Sequence, residues 1–359
     1  MLYWLGLVLK SHIFLFNVLR YITFRALMAV ILSFFITLVL SPIFMRKVTA
    51  LNRLYGGYVR EDTPETHSKK KFVPSMGGLI IILSLELSSI LLMRLDIAQT
   101  WIMAFTVLGF AIVGFIDDFV KLKNKKGISA RSKMLGQIIV SFVSALLLYF
   151  VVHIDTNLYF PFFKSLKLDL GYFYIVFVML VLIATSNAVN LTDGLDGLAI
   201  VPAMTTAFAL GIISYVAGNS ILARYLEIHY VENAGELAVF AMAVVGAGLG
   251  FLWFNSFPAQ MFMGDVGSLG LGAALGMLAI MSKQELTLII AGGVFVVEAL
   301  SVIIQVSVFK ITKGKRVFKM APIHHHFELN GTPEPKIVVR IWIVSILLAI
   351  FTIATLKLR

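Results

Sequence analysis

Ten apolar runs, each near the length that crosses a bilayer as a helix, dominate this chain of 359 residues. They fall near 21–45, 74–93, 99–118, 134–152, 171–189, 198–217, 236–255, 266–281, 287–309 and 337–356. The 266–281 run is the shortest and is rich in glycine. Such a pattern leaves few folds open. In hydrocarbon every backbone N–H and C=O has to be satisfied by the protein itself, which favours helices. The expectation is an all-α polytopic integral membrane protein with about ten transmembrane helices, built as one transmembrane domain over 1–359.

Composition agrees with that class. The chain is 59% hydrophobic and only 14% charged, where a soluble domain is about a quarter charged. It has no cysteine, which excludes disulfides and thiolate metal sites. The first 20 residues are apolar, with Lys10, His12 and Arg20 interspersed and no small-residue cleavage site after them. They read as an interfacial lead-in to the first span rather than a removed signal peptide.

A formal net charge of +11 suggests nucleic acid at first sight, but its distribution points to a membrane surface. Seven Lys and Arg fall in 46–73, six in 119–133 and seven in 310–340, so three segments hold 20 of the chain's 30. Positive charge marks the cytoplasmic face. These segments follow the first, third and ninth runs, and a single orientation satisfies all three. Both termini are then outside, on the periplasmic side. Cytoplasmic loops are expected near 46–73, 119–133, 190–197, 256–265 and 310–336, and no nucleic-acid partner is expected.

Five aspartates then fall at one face. Asp117 and Asp118 close the third run, Asp193 and Asp196 follow the fifth, and Asp265 follows the seventh. A carboxylate beside hydrocarbon is costly unless it is paired, so the grouping points to one polar site assembled from several helix ends. Adjacent carboxylates repel, and the pair at 117 and 118 is comfortable beside a cation. Lys121 lies three and four residues on, within helical reach of both. The plainer alternative is a solvated helix end with a local ion pair.

Asn187, Asn190, Asp193 and Asp196 recur every third position, with glycines at 194 and 197. On a helix they line one track; the alternative is a polar cap and turn. Asp265 is flanked by Gly264 and Gly267 and precedes a helical run, a suitable place for a carboxylate that binds Mg²⁺ or, more simply, for a helix cap. His324, His325 and His326 are consecutive, so their rings are expected to point in different directions and not to share one metal easily. Imidazoles there suit phosphate, sugar or proton transfer, or belong to a polar loop. Lys69, Lys70 and Lys71 lead through Ser75 to Gly77 and Gly78, which can cradle an anion at a helix start or merely obey the positive-inside rule. Glu86, Glu298 and Gln305 lie inside apolar runs and read as groups that hydrogen-bond between helices.

Jointly these motifs resemble the polyprenyl-phosphate N-acetylhexosamine-1-phosphate transferases, over nearly the whole chain. The resemblance rests on Asp117-Asp118, on Asn187-x-x-Asn190-x-x-Asp193-Gly-x-Asp196-Gly, on Met263-Gly-Asp-Val-Gly-Ser268 and on Pro322-Ile-His-His-His-Phe-Glu328. The histidine run points to the muramoyl branch over relatives that transfer GlcNAc-phosphate. One stretch departs: where the family usually reads Gly-Thr-Pro-Thr-Met-Gly-Gly, this chain has Phe72, Val73 and Ser75 in place of the Gly and the two Thr. Ser75 keeps a hydroxyl.

The resemblance implies transfer of phospho-MurNAc-pentapeptide from UDP-MurNAc-pentapeptide to undecaprenyl phosphate, forming lipid I and UMP in peptidoglycan biosynthesis. It implies Mg²⁺ on Asp265 and a catalytic set of Asp117, Asp118, Asp265 and His324, with Asp117 keeping the lipid phosphate ionised or placing it. Substrate contacts are expected from Lys70, Ser75, Lys121, Lys133, Asn187, Asn190, Asp193, Asp196, Asn255, Phe262, Gly264, Gln305, His325 and His326. It also implies a homodimer in the bacterial cytoplasmic (inner) membrane, surrounded by membrane lipids, with the active site on the cytoplasmic side. Two alternatives stand beside it: a GlcNAc-1-phosphate transferase and, in a different class, a secondary transporter. Against a transporter, the acidic groups gather at one face rather than at the bilayer midplane, and no internal repeat is visible.

Overall fold

Every apolar run becomes helix in a computed structural model of the chain, which describes residues 1–9, 14–55, 73–163 and 166–357. A short α1 (Leu2–Leu9) and a 3₁₀ turn (Phe14–Arg20) lead into α2 (Ile22–Tyr55), followed by α3 (Gly78–Leu92), α4 (Ala98–Asn124) and α5 (Ala130–Phe150). An antiparallel hairpin of β1 (Asn157–Tyr159) and β2 (Lys167–Asp169) pairs Asn157 with Asp169, and is the one departure from an all-α fold among the described residues. Then come α6 (Phe173–Thr192), α7 (Ile200–Ala217), α8 (Ser220–Leu226), α9 (Leu237–Asn255), α10 (Gly264–Met281), α11 (Thr287–Ala291), α12 (Gly293–Ile311), α13 (Ile323–Leu329) and α14 (Glu334–Ala354).

Among the described residues, nine helical segments are long and apolar enough to cross a membrane. The tenth, α3, has 15 residues and spans about 22 Å at the usual helical rise, short of the roughly 30 Å of hydrocarbon. The protein is a polytopic helical membrane protein. The 287–309 run, expected as one span, breaks at Gly292 into α11 and α12.

The glycine-rich run that looks weakest as a span becomes the axis of the bundle. Every residue of α10 is buried, packed by α3, α4, α6 and α7. Small residues let helices approach closely where no hydrophobic force separates protein from lipid. A side chain at Gly78 would collide with the backbone of Gly267, so this crossing of α3 and α10 admits only glycine. Ser186 of α6 donates to the Leu269 carbonyl at 3.1 Å. At one end of the bundle a buried bidentate pair joins Arg25 to Glu236, with two 2.6 Å contacts, and Arg25 also donates to Leu92 O. Glu86 is buried on α3, and neither of its oxygens has a partner among the described residues; the helix-to-helix hydrogen bond expected of it is not there.

Candidate active site

The end of the bundle opposite the Arg25–Glu236 pair gathers the C-termini of α4 and α6 and the N-termini of α3, α5 and α10. Asp117 and Asp118 lie in the last turns of α4, and Asp265 in the first turn of α10, which begins after Met263, so Asp265 is not its cap. One carboxylate oxygen from each of the three lies within 4.8 Å of the others. All three residues are buried.

Two lysines hold this acidic group together. Lys121 Nζ lies 2.6 Å from Asp117 Oδ2, 2.9 Å from Asp265 Oδ2 and 3.7 Å from Asp118 Oδ1. Lys133, from the first turn of α5, lies 2.6 Å from Asp265 Oδ2 and 3.9 Å from Asp117 Oδ2. Backbone donors complete the set. Ile128 N–H donates to Asp117 Oδ1 at 2.8 Å, and Val266 N–H to Asp118 Oδ2 at 3.1 Å. Asn190 of α6 donates to Asp265 Oδ1 at 2.9 Å and to Ser268 Oγ at 2.8 Å.

Three carboxylates against two ammonium groups leave an excess of one negative charge in a buried place. Hard oxygen donors at this spacing suit a divalent cation that keeps waters and substrate phosphates as its other ligands. Gly264 makes the approach possible. Its φ is +74°, a region costly to other residues, and a Cβ there would press on Asp118 Oδ2.

The remaining candidates divide into separate groups. Pro74 O accepts from Phe262 N at 2.9 Å, while Gly77 N and Gly78 N donate to Phe262 O and Met263 O, each at 2.8 Å. Ser75 and Phe262 therefore flank one short backbone ladder leading to Gly264. The third-position rhythm does not make a common track. Asn190 reaches Asp265, but Asn187 turns to Gln137 of α5 at 2.8 Å. Asp193 ends α6. Asp196 accepts from Ala259 N at 3.0 Å, and Asn255 accepts from Gly197 N at 3.0 Å while donating to Met261 O. Asp196 and Asn255 thus brace the 193–197 turn against the 256–263 loop.

Gln305 clamps its own loop, accepting from Val317 N and Phe318 N and donating to Phe318 O. The three histidines take different partners, but the rings of His324 and His325 pack 4.2 Å apart rather than diverging as expected. His324 Nδ1 lies 3.0 Å from Glu298 Oε2, and His325 Nδ1 lies 3.0 Å from Glu328 Oε2. His326 is tied at both nitrogens, to Lys319 N and Asn330 Nδ2. Lys70 lies outside the described residues.

A family model described as glycosyl transferase family 4 matches residues 100–283, more than half the chain and the whole of the three-carboxylate cluster. The chain belongs to glycosyl transferase family 4. It is 97% identical over all 359 residues to a phospho-N-acetylmuramoyl-pentapeptide-transferase of Hydrogenobaculum sp. (strain Y04AAS1). It is 59% identical to the enzyme of that name from Aquifex aeolicus (strain VF5), and 51% identical to that from Desulfatibacillum aliphaticivorans. Each match covers the whole of both chains. The resemblance drawn from the motifs, including its muramoyl branch, is borne out. The transporter alternative finds no relative among these.

Several residues of this family 4 site escaped the sequence. Glu298 makes the inter-helix hydrogen bond read for it, joining α12 to α13, but its partner His324 could not be named from the sequence. Ser268 carries a usable signal, lying one turn beyond Asp265 on the same face. Ile128 N, which holds Asp117 from 11 residues away, has none because a backbone donor looks the same in every residue; Glu334, whose Oε1 accepts from Asp196 N at 2.9 Å, has none because it is 138 residues away.

Proposed function

We propose that this chain transfers phospho-MurNAc-pentapeptide from UDP-MurNAc-pentapeptide to undecaprenyl phosphate, forming lipid I and releasing UMP, at the cytoplasmic face of a bacterial inner membrane. The observation that carries the reading is the buried cluster of Asp117, Asp118 and Asp265 with Lys121 and Lys133 at one end of a bundle of apolar helices. A water-soluble diphosphate and a lipid phosphate can meet only at such an edge. The three basic segments support an orientation with this end inside and both termini outside. The chain acts as a single transferase domain, and the family resemblance implies a homodimer.

The reaction forms a bond from a lipid-phosphate oxygen to the sugar-linked phosphorus. The bond from that phosphorus to the bridging oxygen breaks, and the electron pair leaves with UMP. Such a step needs alignment and charge neutralisation more than covalent help from the protein. Lys121 and Lys133 supply positive charge between the two phosphates. Asp117, anchored by Ile128 N–H and Lys121, places the lipid phosphate or takes its proton; a phosphate monoester is largely ionised at neutral pH, so placement is the larger part. Asp265, with Asp118 and Asp117 beside it, would hold Mg²⁺, which when bound neutralises diphosphate oxygens. The nucleotide-sugar would lie over the 193–197 turn, which Asp196 braces and Asp193 opens, with Asn190 holding Asp265 beside it.

The test uses the purified chain in lipid with undecaprenyl phosphate and Mg²⁺, offered UDP-MurNAc-pentapeptide or UDP-GlcNAc. Lipid-linked product and UMP are expected from the first donor alone. Product from UDP-GlcNAc alone would overturn the muramoyl specificity, and product from neither would overturn transfer.

A further inference from the structure

His324 stands at the start of α13 with its ring fully buried. Its Nδ1 lies 3.0 Å from Glu298 Oε2 on α12, and Glu298 is buried as well. An ionised carboxylate only accepts, so Nδ1 carries the hydrogen of that bond. The free end of the ring is therefore Nε2. It is buried and has no hydrogen-bond partner among the described residues. A buried polar atom left unpaired is destabilising, and a bound ligand can remove that cost. The direction of Nε2 is given by Gly194, where any Cβ would collide with that nitrogen first. The free nitrogen thus faces the turn that carries Asp193 and Asp196. The His325 ring, itself tied to Glu328, packs 4.2 Å from the His324 ring and limits its rotation.

We propose that Glu298 is a positioning residue that holds His324 by its Nδ1–H, so that Nε2, when protonated, donates to a diphosphate oxygen of the nucleotide-sugar over the 193–197 turn. This rests on the transfer reading above. Glu298 touches no substrate in this role and acts only through His324. A neutral Nε2 accepts from a donor hydroxyl, and a protonated one donates to a phosphate oxygen; in both states Glu298 accepts from Nδ1–H. Orienting partners of this kind typically matter by about 10–100-fold.

A double-substitution cycle in the full chain tests it, with transfer from UDP-MurNAc-pentapeptide to undecaprenyl phosphate as the readout. Glu298→Met removes the acceptor and keeps the bulk. His324→Asn keeps an N–H facing Glu298 and removes Nε2. Glu298→Met should lower kcat about 10–100-fold with a smaller change in KM, and Glu298→Asp should regain part of that loss. The decisive result is non-additivity: Glu298→Met combined with His324→Asn should be no slower than His324→Asn alone. If Glu298→Met does not fold, the cycle run with Glu298→Asp reads the same coupling. Additive losses in an otherwise active chain would overturn the role of Glu298 and leave the transfer reading standing. Absence of transfer by the unmodified chain would overturn both.

Discussion

The two ends of α10 carry two charged clusters of similar make-up and different use. At its N-terminus Asp265 joins Asp117, Asp118, Lys121 and Lys133. Just past its C-terminus Lys283 lies 3.0 Å from Glu285 Oε1, 2.8 Å from Tyr174 OH and 2.9 Å from Asp155 O. Tyr174 OH also donates to Glu285 Oε1 at 2.5 Å, and Lys283 Nζ sits over the Tyr174 ring. The second cluster matches one cation to one carboxylate, with side chains 1% and 0% exposed. The first has a surplus carboxylate, and its lysines remain 21% and 18% exposed. Balance and closure make a brace that ties the hairpin side of the protein to α10. Imbalance and access make a place where another charge can enter. The count of charged residues does not separate the two; stoichiometry and exposure do.

The comparison is broken or sharpened by a series of substitutions. The largest effect is expected from Asp265→Asn, which should lower transfer about 10³-fold, close to 4 kcal/mol of barrier, while leaving the melting temperature unchanged or higher because a repelling carboxylate is gone. A turnover near that of the unmodified chain would remove Asp265 from the site. Next, Lys283→Met strands Glu285 and should cost about 3 kcal/mol of stability, read by thermal unfolding in detergent, with kcat retained by the folded fraction. Were its kcat to collapse instead, the brace would have to be counted as part of the site.

Gly264→Ala should cost about 1–2 kcal/mol for its left-handed backbone, and it should also slow transfer because the new methyl presses on Asp118. A fall in stability alone would detach Gly264 from the carboxylates. The smallest effect belongs to Arg94, whose pair with Asp96 at 2.6 Å is partly exposed; Arg94→Ala should cost at most about 1 kcal/mol. The hydrogen bond from Arg94 holds the Asp96 carboxyl below its ordinary value. This contribution is therefore present at neutral pH and fades as pH falls through the carboxylate range. Thermal unfolding of Asp96→Asn should lack that acid-side loss.

Much of this protein is legible along the chain because bilayer physics acts on one run at a time. The apolar runs, their basic borders and the acidic motifs between them all sit in contiguous stretches. Legibility fails where a partner comes from far away. Asn187 and Asn190 share a rhythm, yet Gln137 takes one and Asp265 the other, a choice made by which helix packs on each turn of α6. Glu86 and Glu298 look alike as acids within apolar runs. Only one of them finds a histidine, because α13 folds back over α12.

The sequence by itself determined the class, the positions of the helices, the family and the motifs, since length, hydropathy and motif spacing are local properties. Only the tertiary structure decided that the weakest-looking run is the central helix. The same holds for Lys133 closing over Asp265 from 132 residues away, and for His324 presenting one nitrogen and not the other. Close packing of small residues and the pairing of buried charges depend on neighbours in space, and a one-dimensional pattern does not carry those.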